Sequence, residues 1–158
     1  MTIALAIMRL QPLHLGHQRV IAQMLKDNEC AYLMIGSVNC HDERNPYSFA
    51  ERKAMVEAIF AQEMTEGKLV VLPVEDINNR PKWAGHILNL LPEMPDIYYC
   101  GSNQDAELFE DKGLKIKEFD REEIKISATQ VREKINNGDE TWRQDVPPEI
   151  FDHIMRRK

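Results

Sequence analysis

Short apolar runs alternate with longer amphipathic stretches along this chain, and that alternation leaves few folds open to it. Five runs read as strands: residues 3–8, 30–35, 68–74, 96–100 and 115–119. The first, IALAIM, is apolar throughout, so both of its faces must be covered, as in a central parallel strand. Between the runs the apolar period becomes helical. Val20, Ile21, Met24 and Leu25 share a face of a helix predicted over 15–26. Ala54, Met55, Ala58, Ile59 and Ala61 do the same over 48–64, where Ser48 and Glu51 form a capping-box pair. Further helices are predicted over 81–91, with Pro81 in the first turn, and over 104–112, which Gly113 closes. The last two are predicted over 127–136 and 147–156. This order specifies an α/β chain: a Rossmann-like parallel sheet of about five strands with helices on both faces.

At 158 residues the chain is expected to form one domain over 1–158, without repeats or linkers. Its formal net charge of −6 argues against general nucleic-acid binding, which favours basic surfaces. No basic-then-apolar leader opens the sequence, and no apolar run has membrane-spanning length. A cytoplasmic protein without membrane contacts is expected. Cys30, Cys40 and Cys100 are odd in number and lie far apart, with no C-x-x-C; they read as small thiols. The least regular stretch, NCHDERNPY over 39–47, is a polar loop that either covers a site or simply connects.

Ligands of open α/β sheets bind at the carboxyl ends of the strands, near the point where strand order reverses. The first strand leads there into MRLQPLHLGHQRV. His14 and His17 are three apart, on one side of the first turn of a helix. Gly16 permits close approach, and Arg9 adds a cation. The helix N-terminus is expected to contribute unpaired N–H groups and a partial positive charge. Such a set can hold a polyphosphate. Neither G-x-x-x-x-G-K-[ST] nor G-x-G-x-x-G occurs, which excludes the two common glycine-rich phosphate loops. Either histidine alone is better explained as a surface or capping residue. A metal site is a second, weaker alternative, since the two histidines have no third ligand nearby.

A second segment, ISATQVR over 126–132, opens a late helix. Ser127 and Gln130 form another capping-box pair, Thr129 adds a hydroxyl, and Arg132 follows within one turn. Alone this is a well-capped helix; it is also a second anion-binding end.

Together, H-x-G-H after the first strand and the late I-S-x-T-x-x-R resemble the signature of the nucleotidyltransferase superfamily. The chain further resembles the archaeal-type nicotinamide mononucleotide adenylyltransferases, and the matching half of bifunctional enzymes that carry a Nudix domain. Arg9-Leu10-Gln11-Pro12 resembles the family's G-R-F-Q-P, and Asn45-Pro46-Tyr47 its N-P-[FW]. Glu51-Arg52 resembles its E-R, Trp83 its ring-stacking tryptophan, and Gly138, Trp142 and Val146-Pro147 its closing residues. The similarity is nearly end to end, and no Nudix domain is expected after it. Met8 stands where the family has glycine, Leu10 and Leu13 replace aromatics, Ala128 replaces the glycine of S-G-T, and 120–125 is longer.

The resemblance implies adenylyl transfer from ATP to nicotinamide mononucleotide, releasing pyrophosphate. It implies His14, His17 and Arg132 as catalytic groups on the triphosphate. Arg9 and Arg132 would hold the β- and γ-phosphates, Ser127 and Thr129 would donate to the same oxygens, and Gly16 and Gly101-Ser102 would lie against ATP. Arg52 would bind the mononucleotide's phosphate and Trp83 stack on its base. Mg²⁺ would arrive with ATP. Two other readings stay open. One is transfer to another phosphorylated acceptor, such as nicotinic acid mononucleotide or phosphopantetheine, or a cytidylyltransferase. The other is a nucleotide sensor without turnover. A homo-oligomer also stays open: Ile150, Phe151 and Ile154 pack either internally or against a second subunit. His41, His86 and His153 are read as loop or surface residues.

Overall fold

The computed structural model describes residues 1–101, 103–119 and 125–156. Five strands, β1 (Ile3–Met8), β2 (Cys30–Ile35), β3 (Leu69–Pro73), β4 (Ile97–Cys100) and β5 (Lys115–Glu118), form one sheet in the order β3-β2-β1-β4-β5. Every pairing is parallel; Ile7 lies opposite Met34, and Ala6 opposite Tyr99. The chain builds outward from β1 through β2 to β3, then returns to β1's other side for β4 and β5. The strand order therefore reverses between β1 and β4.

Strand side chains alternate between two cores because successive residues point to opposite faces. Ala4, Ala6, Met8, Ala31, Leu33 and Ile35 face α1 (Leu15–Asp27) and α2 (Phe49–Thr65). Ile3, Leu5, Tyr32 and Met34 face α3 (Arg80–Asn89) and α4 (Asn103–Glu110). On that second face Tyr98 stacks on Phe109 with centroids 4.1 Å apart. Both faces of β1 are thus covered, as its continuous apolar run requires.

Capping follows the sequence closely. Ser48 and Glu51 close the reciprocal box at α2. Asn79 caps α3 ahead of Pro81, and Gly113 takes φ +95° just beyond α4, where a side chain would be strained. At α5 (Ala128–Asn136) the Ser127 hydroxyl accepts the Gln130 N–H.

The C-terminal segment departs from the helix expected over 147–156. A 3₁₀ turn (Pro148–Ile150) precedes the five-residue α6 (Phe151–Met155), with Ile150 off helical geometry at φ −106°, ψ 5°. A preceding 3₁₀ turn (Glu140–Gln144) carries Trp142 into the core, edge-on to Phe151. Ile150 and Ile154 are buried in the same core, with Phe151 packed partly buried against it, so these side chains pack within the chain. His86 and His153 are half-buried, where sequence placed them at the surface.

Candidate active site

The turn after β1 is built around His14. Its backbone is extended (φ −127°, ψ 176°), and its Nδ1 accepts the N–H groups of Gly16 (3.0 Å) and His17 (3.4 Å) as the N-cap of α1. The Nδ1 of His17 accepts the His14 N–H in return, at 3.1 Å. An imidazole nitrogen that accepts an N–H carries no proton, so in both neutral rings the proton is on Nε2. The rings stack with centroids 3.7 Å apart at 24°, which aligns two Nε2–H donors.

This cap changes one expectation. The N–H groups at the start of α1 are not left for a ligand. Leu15 donates to the Asp145 carbonyl, and Gly16 and His17 donate to His14. A histidine cap consumes the backbone donors and presents its own Nε2–H instead.

Burial also fixes the charge of the pair. It lowers His14 to a pKa of about 4, only partly opposed by Asp145. His17 is pushed well below the usual histidine range by burial and then by His14. Both rings are therefore neutral donors at neutral pH.

The pair lines a cleft of about 630 Å³ at the β1/β4 reversal. Met8 and Arg9 end β1 on one side, and Tyr99 to Gly101 end β4 on the other. The far wall is the start of α5: Lys125, Ile126, Ser127, Ala128 and Gln130. The volume falls within the range of small-ligand pockets.

Cations gather at one end. Arg132 donates Nη1 to the Gln11 carbonyl (2.7 Å) and Nη2 to the Thr129 hydroxyl (3.3 Å). Burial, then the charge of Arg9 and more weakly that of Arg44, make its guanidinium less favourable. Arg9 reaches from β1 to Asn45 Oδ1 at 2.8 Å. Among the described residues none of these three arginines forms an ion pair. A like-charge cluster in an acidic chain is stabilised by a multivalent anion.

Arg9, His14, Gly16, His17, Gly101 and Ser127 are thus brought to one cleft, with Thr129 and Arg132 beside it. Ser102 and residues 120–124 lie outside the described residues. Arg52 does not line the cleft. It is 1% exposed and donates to the carbonyls of Ser48 (3.2 Å), Arg9 (2.8 Å) and Gly36 (2.7 Å). Those bonds make it a strut tying the ends of β1 and β2 to α2. Trp83 is half-buried and lines a neighbouring open hollow with Asp76 and Asn79. Asp105 lines both spaces, so the hollow adjoins the cleft.

Sequence reasoning assigned no role to Asp105 or Lys125, which also line the cleft. Gln11 stands inside the Arg9-Leu10-Gln11-Pro12 motif, but its partners, backbone atoms 36 residues away, are not encoded there.

A parallel sheet whose order reverses beside a stacked H-x-G-H pair, faced by a serine-capped helix, defines the nucleotidyltransferase class of α/β fold. The nicotinamide-nucleotide adenylyltransferase of Picrophilus torridus is 30% identical over 149 residues, 93% of this chain and 86% of its own. That of Thermococcus kodakarensis is 30% identical over 154 residues, 95% of this chain and 80% of its own. The chain belongs to the nicotinamide-nucleotide adenylyltransferase family. Among solved structures, a NadR protein in complex with NAD and AMP-PNP shares the fold, with TM-score 0.71 and 22% identity over 96% of this chain. A bifunctional NMN adenylyltransferase/ADP ribose pyrophosphatase from Francisella tularensis, complexed with AMP and manganese, gives TM-score 0.67 and 24% identity over 87%. The chain spans less than half of each of these two, 46% and 42%. No family model matches the chain.

Proposed function

We propose that this chain transfers the adenylyl group of ATP to nicotinamide mononucleotide, giving NAD and pyrophosphate, within a single domain over 1–158. The observation that carries the reading is the pair of aligned Nε2–H donors beside unpaired arginines at the β1/β4 reversal. That is a site for a polyphosphate with charge moving along it. Family membership names the acceptor.

The reaction joins an oxygen of the mononucleotide's phosphate to the α-phosphorus of ATP and breaks the bond to the β-phosphate's bridging oxygen. It needs positioning and charge neutralisation more than covalent help. The Nε2–H groups of His14 and His17 donate to the phosphoryl oxygens as the α–β bond breaks. Arg9 and Arg132 hold the β- and γ-phosphates, which leave as pyrophosphate. Ser127 and Thr129 donate at the N-terminus of α5, and Gly101 ends β4 without a side chain against the nucleotide. Trp83 stacks on the pyridine ring in the adjoining hollow.

Among the described residues, no group of three His, Cys, Asp or Glu is placed to hold a metal. A divalent ion carried by the phosphates would suit this donor set, in which Asp105 is the carboxylate that lines the cleft. Mg²⁺ in that role would neutralise phosphate charge.

The test is pyrophosphate release from ATP and Mg²⁺ with each acceptor separately: nicotinamide mononucleotide, nicotinic acid mononucleotide, phosphopantetheine and glycerol phosphate. Release with a pyridine mononucleotide, and NAD or its acid analogue by mass, is expected. Release with phosphopantetheine alone would overturn the acceptor, and ATP binding without release would mean a sensor.

A further inference from the structure

Two cations of α5 tie that helix to the turn that carries His14, one on either side of it. Ahead of His14, the Gln11 carbonyl accepts Arg132 Nη1 at 2.7 Å. Behind it, the Leu15 N–H donates to the Asp145 carbonyl at 2.9 Å, and Lys134 Nζ donates to Asp145 Oδ2 at 2.6 Å. Asp145 itself ends the Glu140–Gln144 turn, where its N–H donates to the Trp142 carbonyl at 3.0 Å. The Lys134 and Asp145 side chains are 33% and 19% exposed, so water and salt screen this pair less than a surface one. Neither residue lines the cleft, and neither belongs to H-x-G-H or I-S-x-T-x-x-R. Arg132 is a tie that ATP would also claim. Lys134 is not.

We propose that Lys134 and Asp145 are positioning residues: their ion pair joins α5 to the Leu15 N–H and so sets the two imidazoles against the serine-capped end of that helix. The proposal rests on the adenylyl-transfer reading. In that reaction the His14 and His17 donors and the hydroxyls of Ser127 and Thr129 must meet one nucleotide from opposite walls. A misplacement of about 1 Å between such groups can cost about 100-fold in rate. When Arg132 turns to phosphate, the Lys134 tie still holds the walls in register. The pair also has an electrostatic effect. Asp145 is the charge that opposes burial at His14, and Lys134 offsets it, which favours the neutral imidazole. Around the same cleft stand His17 from α1, Arg9 from β1, Tyr99 from β4, Asp105 from α4 and Lys125 ahead of α5.

The test is a double-mutant cycle on steady-state kinetics with ATP, Mg²⁺ and nicotinamide mononucleotide, beside an NMR titration of the His14 ring. Lys134→Met keeps the apolar stem and removes the charge. It is expected to lower kcat about fivefold and to leave the KM for ATP within about twofold of native. Asp145→Asn keeps the carbonyl that Leu15 uses and should show a similar loss. The double variant should lose no more than either single one. In Lys134→Met the His14 midpoint should rise above its native value near 4, because Asp145 then stands uncompensated. Losses that multiply in the double variant would overturn the proposal. So would a raised KM for ATP with native kcat, or a His14 midpoint that does not move, which is what a merely structural pair would give. If Lys134→Met does not fold, Asp145→Asn decides, and native kcat in that variant would overturn the proposal. No pyrophosphate release by the native protein would instead remove the adenylyl-transfer reading, and the His14 titration is read without turnover.

Discussion

His14 does two jobs that substitution can separate. Its Nδ1 caps α1, and its Nε2–H faces the cleft. Asparagine is among the best N-caps, so His14→Asn should leave thermal stability near that of the native protein. Losing a positioned donor should still cut turnover by roughly 100-fold or more. His14→Ala should lose both, with about 1 kcal/mol less stability from the missing cap. Equal melting temperatures for the two variants would show that the cap contributes nothing. The pair's burial also sets a pH dependence. A histidine whose folded pKa lies near 4, against 6.5 unfolded, binds fewer protons folded than unfolded in that interval. Stability from this term is complete above pH 6.5 and is lost as pH falls towards 4. Urea titrations across that window should show the decline, and the His14→Asn variant should show a shallower one. An unchanged slope in the variant would place the effect elsewhere. The meeting of the histidines, Arg9 and Ser127 at one cleft, with Arg132 beside it, was legible in sequence because the two motifs and their resemblance to the family mark them. The bonds of Arg52 to three backbone carbonyls were not, since E-R in a motif does not say which way a guanidinium points.

Elements divide in the same way. The strands and the five longer helices could be read from apolar period and caps, because those signals are local. The C-terminal segment could not: tertiary packing of Trp142 and Phe151 overrides helical continuity after two prolines. Trp142 is fully buried, so Trp142→Ala should cost about 3–5 kcal/mol, measured by chemical denaturation. A loss below about 1 kcal/mol would mean that this segment is not part of the core. Helix α3 offers a second element-scale test. Trp83 stands in the hollow that Asp105 joins to the cleft. Stacking of a base on an aromatic ring is worth about 1–3 kcal/mol. Trp83→Ala should therefore raise the KM for the mononucleotide about tenfold while leaving that for ATP near its native value. A rise for ATP alone would place the pyridine ring elsewhere. The 39–47 loop was read as polar and irregular. Its hydrogen bonds to Gln11 join backbone to a side chain far away in sequence, a contact no local pattern encodes.

At the scale of the whole molecule, the parallel sheet does the organising. A run apolar on both faces places β1 at the centre, and the return of the chain to its other side opens the reversal where the cleft lies. The site then draws on segments distant in sequence, the β1 turn and the α5 cap, that meet only because β1 and β4 are neighbours. The alternation made the sheet predictable, and the two motifs made the cleft predictable. The ties between them needed the folded chain. The central claim is that the bond broken lies between the α- and β-phosphates of ATP. Its most direct test supplies ATP labelled at the α-phosphorus, Mg²⁺ and nicotinamide mononucleotide, and follows the label. The account predicts the α-label in NAD, and label from the γ-phosphorus in pyrophosphate. An α-label recovered only in ATP or ADP, with the γ-phosphate transferred or released alone, would contradict it.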